Sequence, residues 1–214
     1  MTDLSKAILD RWQVRKTKKQ KTAFIEFMQS NFPKMKVEQG GFGNNRNLVI
    51  GDVKSADVIL GAHYDTCAQL PFPNFISPKN IPLYVLYSLA ICIPFVIVAL
   101  GINALLHLIT NNFFLLYWGT FLPTTALTIL IFTAGKPNPH TVNDNTSGVI
   151  TLCEIWAAMT EQQRAKTAFV FFDNEENGLL GSAYFRSLPK KDGLDTFGRK
   201  SAGGLCRLYN SLYV

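Results

Sequence analysis

No two of the four cysteines, Cys67, Cys92, Cys153 and Cys206, stand at CxxC spacing. That absence argues against a structural zinc knuckle or a disulfide framework and suits a reducing compartment. Internal repeats and low-complexity tracts are missing too, so no repeat architecture is expected. Charge is absent from the middle of the chain: between Lys79 and Lys136 there is no Asp, Glu, Lys or Arg, although charged residues make up 17% of the whole. What is present in quantity is apolar. At 48% of 214 residues, hydrophobic side chains suffice for a real core in one or two domains, and disorder is not the default reading.

Two apolar stretches fill the uncharged region, "PLYVLYSLAICIPFVIVALG" (82–101) and "FFLLYWGTFLPTTALTILIF" (113–132). A helix of ~20 residues rising ~1.5 Å per residue matches a ~30 Å hydrocarbon core, so both are candidate transmembrane helices. Tyr84, Tyr87, Tyr117 and Trp118 lie toward the segment starts, where amphipathic rings favour the membrane interface. Pro94 and Pro123 are tolerable in such helices. The connector "INALLHLITNN" joins them into a hairpin, which leaves both flanking segments on one side. It carries no Lys or Arg, whereas both outer flanks begin with Lys, and no signal peptide precedes. The expectation is a two-span protein of the cell membrane with its polar parts in the cytoplasm and the lipid bilayer as a partner. The net charge of +6 is concentrated in "RWQVRKTKKQK" (11–21), which reads as a solvated helix face, and no nucleic-acid partner is expected.

Outside the hairpin, helix and strand alternate. Leu4, Ile8, Leu9, Trp12, Phe24, Ile25, Phe27 and Met28 have the spacing of one long or two short amphipathic helices. "GGFGNNRN" reads as a loop, and "LVI" (48–50), "DVILGAHY" (57–64) and "TAFVFF" (167–172) as strands. Residues 147–160 and 178–188 read as helices. Short apolar strands between helices predict an α/β fold, a three-layer arrangement with helices on both faces of the sheet.

Ligands of open α/β sheets bind beyond the carboxyl ends of the strands, and three polar clusters fall there. In "GAHYDT", Asp65 stands where it can orient the imidazole of His63, although a lone strand-end histidine is more often structural. "VNDNTSGV" (142–149) leads into a helix and by itself is a capped helix start. "FFDNEENGLLGS" (171–182) places Glu175 and Glu176 at a strand end, where acidic residues also suit a helix N-terminus. Together the clusters supply imidazole and carboxylate ligands of the kind Zn²⁺ accepts. Adjacent side chains on an extended segment point to opposite sides, so one glutamate can bind metal while the other acts as general base.

These three motifs, in this order, resemble the signature of the co-catalytic zinc aminopeptidase family (peptidase clan MH), which also contains glutamate carboxypeptidase and glutaminyl cyclase. The resemblance spans roughly residues 45–188 without the hairpin, and "HYDTCAQLPFPNFISPKN" ahead of two spans is similar to a membrane-inserted bacterial branch. It implies a zinc-exopeptidase-like fold, with residues 1–80 and 136–214 as two parts of one peptidase-like domain interrupted by the transmembrane hairpin 81–135. It also implies two Zn²⁺ ions. His63 resembles a ligand of the first, Asp144 the aspartate bridging both and followed by a cis peptide, and Glu176 a ligand of the second. Asp65 resembles the carboxylate that orients His63, and Glu175 the general base. The implied reaction is hydrolysis of a peptide substrate at a free N-terminus.

The family pattern asks for a further carboxylate and a late histidine. After Glu176 there is no His, and Asp192 and Asp195 sit in a polar, turn-like stretch; His107 and His140 are poorly placed to substitute. A C-terminally truncated family fold with a weakened metal site is therefore expected, with a non-catalytic membrane protein that keeps the peptidase fold as the alternative. Because the hairpin interrupts the chain between His63 and Asp144, its ends are expected to return near the site, with "PFPNF" (71–75) at the site rim or lipid interface.

Overall fold

The computed structural model describes residues 1–70 and 80–188. The expectations for residues 71–75, Asp192, Asp195, Cys206 and the final "SAGGLCRLYNSLYV" lie outside the described residues. The chain divides into two units, Met1–Cys67 with the segment from Pro137 onward, and Ala68–Lys136.

In the first unit, helices α1 (Asp3–Arg11) and α2 (Lys18–Asn31) precede strands β1 (Lys36–Gly40), β2 (Asn45–Ile50) and β3 (Val58–His63). Both helices start on threonines. Thr2 accepts from the Ser5 amide, and Thr17 forms a reciprocal capping box with Gln20, satisfying amides that have no partner within the helix. The sheet is mixed, in the order β1-β2-β4-β3, where β4 is Thr167–Phe172. β4 runs antiparallel to β2 and parallel to β3, with His63 opposite Phe172.

Every residue of β4 is buried, because alternate side chains serve different layers. Phe169 and Phe171 join Ile8, Phe24, Met28, Val149 and Leu152 in one core cluster, while Val170 and Phe172 pack with Val49 and Phe185 in another. Helix α5 (Ser147–Ala158) contributes to the first cluster and α7 (Leu180–Ser187) to the second. A five-residue helix, α6 (Glu161–Ala165), closes the connection into β4.

Two sequence expectations are corrected here. Residues 45–47 belong to a strand rather than a loop. Gly41, Gly43 and Asn44 take the positive φ of a tight turn, and the fully buried Asn45 donates to the carbonyls of Gly40 and Phe42. A polar composition thus conceals a strand whose asparagines find their partners inside the fold. The basic run 11–21 is likewise not wholly solvated: Lys18 and Lys19 are exposed, but Arg15 and Lys21 are buried.

Glu38 on β1 is half-buried, and its Oε2 has no hydrogen-bond partner among the described residues. Burial raises its carboxyl above the usual carboxylate range, with Lys36 opposing. A folded-state value above the unfolded one weakens folding once the pH exceeds the unfolded value, near 4. Glu38→Gln is therefore expected to raise the urea midpoint near pH 7 and to leave it unchanged near pH 3, where both states carry the proton.

The second unit holds α3 (Ile81–His107) and α4 (Phe113–Thr133), both long and apolar enough to cross a membrane. They run antiparallel, with Phe95 stacked on Phe132 at one end and Asn103 Nδ2 donating to Thr120 Oγ1 at 3.1 Å farther along. Such an interhelical bond is a usual way to join helices in lipid. The expected connector of 102–112 is shorter in the structure, because residues 102–107 continue α3 and place His107 in its last turn.

Candidate metal centre

Parallel pairing of β3 and β4 brings two of the polar clusters to the same sheet edge. The register ends with His63 beside Phe172, and the Tyr64 amide donates to the Phe172 carbonyl at 2.9 Å. Residues 63–65 and 173–176 therefore leave the sheet side by side. The third cluster forms an irregular turn, Val142–Thr146, ahead of α5, where Asp144 and Asn145 depart from helical geometry and the peptide bond between them is cis. Asn145 Nδ2 donates to the His63 carbonyl at 3.3 Å, while its Oδ1 accepts from the Gly148 amide at 3.1 Å, tying this turn to the end of β3.

His63, Asp144 and Glu176 converge, each offering one potential ligand atom within 4.8 Å of the others. Nε2 of His63 lies 3.4 Å from Asp144 Oδ1. The other ring nitrogen, Nδ1, faces Asp65, 3.1 Å from its main-chain oxygen and 3.5 Å from its carboxylate. Asp65 also organises the glutamates: its two carboxylate oxygens accept from the amides of Glu175 and Glu176, both at 3.1 Å. One buried carboxylate thus faces the imidazole and fixes the turn that carries the acidic ligand.

The two glutamates separate. Glu176 enters the cluster, while the buried Glu175 turns toward α7, where Oε1 accepts from the Ser182 amide at 2.6 Å and Oε2 from its hydroxyl at 2.9 Å. Ser182 is the third residue of α7, so Glu175 satisfies an amide at the helix N-terminus, the structural use open to an acidic residue at that place.

The cluster is rich in negative charge. Burial and the neighbouring Asp144 push the Glu176 carboxyl up to about 7. Burial also raises Glu175, against the two Ser182 bonds. Burial disfavours a charged imidazole at His63, but its bonds to Asp144 and Asp65 win and drive it up to about 10. One imidazole nitrogen and two carboxylates, with an orienting aspartate behind the histidine, suit Zn²⁺ or a similar divalent ion. With side-chain exposures of 57% for Asp144 and 18% for His63, the cluster opens to solvent on the Asp144 side, leaving an approach for a further ligand.

His140 is exposed and His107 lies in α3, and among the described residues neither belongs to the cluster. The hairpin leaves the first unit at Cys67, only two residues beyond Asp65, and the Asn138 amide donates to the Cys67 carbonyl at 3.3 Å, so exit and return are adjacent.

Several residues that hold the site are not evident from the sequence. Lys21 reaches from α2 to Asp173 and Asn174, both at 2.7 Å, beneath the Glu175–Glu176 turn. Asp173 also accepts from the amides of Arg46 and Asn174. Ser182 and Arg15 belong to the same group. A lysine or arginine within a basic run gives no sign of a partner some 150 positions away; a serine seven residues beyond Glu175 is the only one that local spacing could have suggested.

The model of peptidase family M28 matches residues 128–197, about a third of the chain. The matched stretch contains Asp144, Glu175 and Glu176 but neither His63 nor Asp65, which the fold brings to it. No curated protein matches the chain.

Proposed function

We propose that this chain is a membrane-anchored zinc metallopeptidase of the aminopeptidase type, related to the M28 peptidases and built on a zinc-exopeptidase-like domain interrupted by the hairpin. The observation that carries this reading is the convergence of His63, Asp144 and Glu176 at the carboxyl end of β3 and β4. The match to the M28 family over residues 128–197 supports hydrolysis of peptide bonds.

His63 Nε2 and the carboxylates of Asp144 and Glu176 would hold Zn²⁺, with Asp65 keeping Nδ1 turned away. When bound, the metal supplies Lewis-acid polarisation of the scissile carbonyl and activation of water. Glu175 is the proposed base, accepting the water's proton on a carboxylate that burial has already made more basic. The three donor atoms lie within 4.8 Å of one another, close enough to share one ion, whereas the resemblance implies two. α3 and α4 serve as the anchor, and the Lys residues at the outer flanks, against none in the connector, favour a cytoplasmic peptidase unit.

A specific observation favours a second reading, a non-catalytic membrane protein that retains the fold: both Glu175 oxygens are engaged by Ser182. The two readings diverge in a direct assay. Full-length protein in detergent is expected to release nitroaniline from aminoacyl-p-nitroanilides, to lose that activity on dialysis against a chelator, and to regain it with Zn²⁺. Binding of Zn²⁺ with no turnover across a panel of such substrates would decide for the non-catalytic protein.

A further inference from the structure

Arg15 is fully buried, yet among the described residues its guanidinium contacts no carboxylate directly. Nε donates to the Tyr64 carbonyl, Nη1 to the Trp12 carbonyl, and Nη2 to Thr146 Oγ1 at 3.1 Å, while the guanidinium carbon lies 5.0 Å from the centre of the Phe24 ring. The Arg15 amide adds a bond to Thr66 Oγ1 at 2.9 Å. Burying a cation is costly, and neutral acceptors offset that cost less well than a carboxylate does. The placement makes sense when the acceptors are read along the chain. Tyr64 and Thr66 flank Asp65 and follow His63, while Thr146 lies two residues after Asp144. Thr146 is bonded in turn to Thr141 at 2.9 Å, and Thr141 donates to the Gln13 carbonyl. The segment 12–15 thus sits between the two loops that carry His63 and Asp144, and the planar fork of the guanidinium spans both with separate nitrogens, whereas a lysine presents its three donors from a single one.

We propose that Arg15 is a positioning residue that clamps loop 63–66 to loop 141–146 and so sets the approach of His63 to Asp144. Its consequence for metal binding rests on the proposed function; the clamp itself does not. The test is hydrogen exchange by mass spectrometry on the full-length, metal-free protein in detergent. In Arg15→Met, peptides covering 63–66 and 141–146 are expected to exchange roughly tenfold faster or more, the effect of losing one hydrogen bond to a charged group, with β4 unchanged. Arg15→Lys keeps the buried charge and guards against a Met variant that fails to fold; it is expected to loosen the same two loops. Thr146→Val, which removes one acceptor, is expected to loosen 141–146 alone. Wild-type exchange in both loops of the Lys variant overturns the clamp.

Cobalt titration, read by visible absorption, separates the two ideas. If the wild type binds Co²⁺, both Arg15 variants are expected to bind it at least tenfold more weakly and with an altered spectrum, as when support behind a metal ligand is lost; unchanged binding overturns the positioning role. A wild type that binds no Co²⁺ while its Arg15 variants loosen both loops sinks the metal reading and upholds the clamp.

Discussion

Glu175→Gln is expected to lower hydrolysis of an aminoacyl-p-nitroanilide by roughly 10²–10⁴-fold, the usual contribution of a general base, while the urea midpoint stays where it is. The two outcomes separate because the proposed base role and the bonds to Ser182 draw on different properties of the carboxylate. Its Oε1 accepts from the Ser182 amide and its Oε2 from the Ser182 hydroxyl. Glutamine preserves the first bond through its carbonyl oxygen. It preserves the second by reversing it, the amide NH₂ donating to a hydroxyl whose single proton can then turn to the Leu179 carbonyl, 3.2 Å away. The start of α7 is thus held in both proteins, and only the proton-accepting capacity disappears. Glu175→Ala removes both uses and should lose about 1 kcal/mol of stability as well, in line with the loss of a helix N-terminal acceptor. A Gln variant that hydrolyses substrate at the wild-type rate would make Glu175 a cap and nothing more.

That pair of roles marks how far the sequence could be read. The spacing of "FFDNEENGLLGS" already suggests that adjacent carboxylates at a strand end face different ways, and the structure sends Glu176 to His63 and Asp144 but Glu175 to Ser182. The first outcome depends on a strand end, which the pattern locates well, since the short apolar run 168–172 reads as an inner strand. The second depends on where α7 begins. Leu179 takes a left-handed conformation at the helix start, which no propensity scale would assign to a leucine, and that turn swings the Ser182 amide toward Glu175. The two long apolar helices were equally legible, because an absence of charge over such a length leaves few alternatives. The end of α3 was not: residues 102–107 lie past a stretch of ~20 residues that already matches a bilayer core, yet Asn103 finds Thr120 across the hairpin and the helix continues.

Charge carried the least positional information. "RWQVRKTKKQK" contains residues of opposite fates: the exposed Lys18 and Lys19 against the buried Arg15 and Lys21. All are identical in kind to a reading that sees only local sequence. What distinguishes them is partners just beyond the ends of β3 and β4 and in the turn before α5, contributed by segments 49 to 153 positions away. Hydrophobic periodicity reports which face of an element is buried, but a buried cation reports a long-range pairing, and one sequence without its relatives does not encode that pairing locally.

Lys21→Met should therefore cost far more than a surface lysine would. The ammonium lies 2.7 Å from Asp173 Oδ1 with side-chain exposures of 9% and 2%, so water can replace neither partner. Removing the lysine leaves a buried carboxylate whose remaining donors, among the described residues, are neutral: the amides of Arg46 and Asn174 and the Tyr64 hydroxyl; it also removes a donor from Asn174. Breaking a buried pair from one side typically costs about 3–5 kcal/mol, because the remaining charge is stranded. Lys6 provides the control within the same protein: its bridge to Asp3 spans 3.4 Å with side chains 57% and 102% exposed. Lys6→Met should therefore change stability by less than about 0.5 kcal/mol. Urea unfolding of the full chain in detergent, followed through Trp12 and Trp156, which pack against the core of the first unit, would compare the two. Equal midpoints for the two variants would show that Lys21 does not hold the turn. A selective loss in Lys21→Met would have a chemical sequel. Asp173 is the first residue after β4, and Glu175 and Glu176 hang from the turn it anchors, so the variant should lose metal affinity at urea concentrations where its core is still folded.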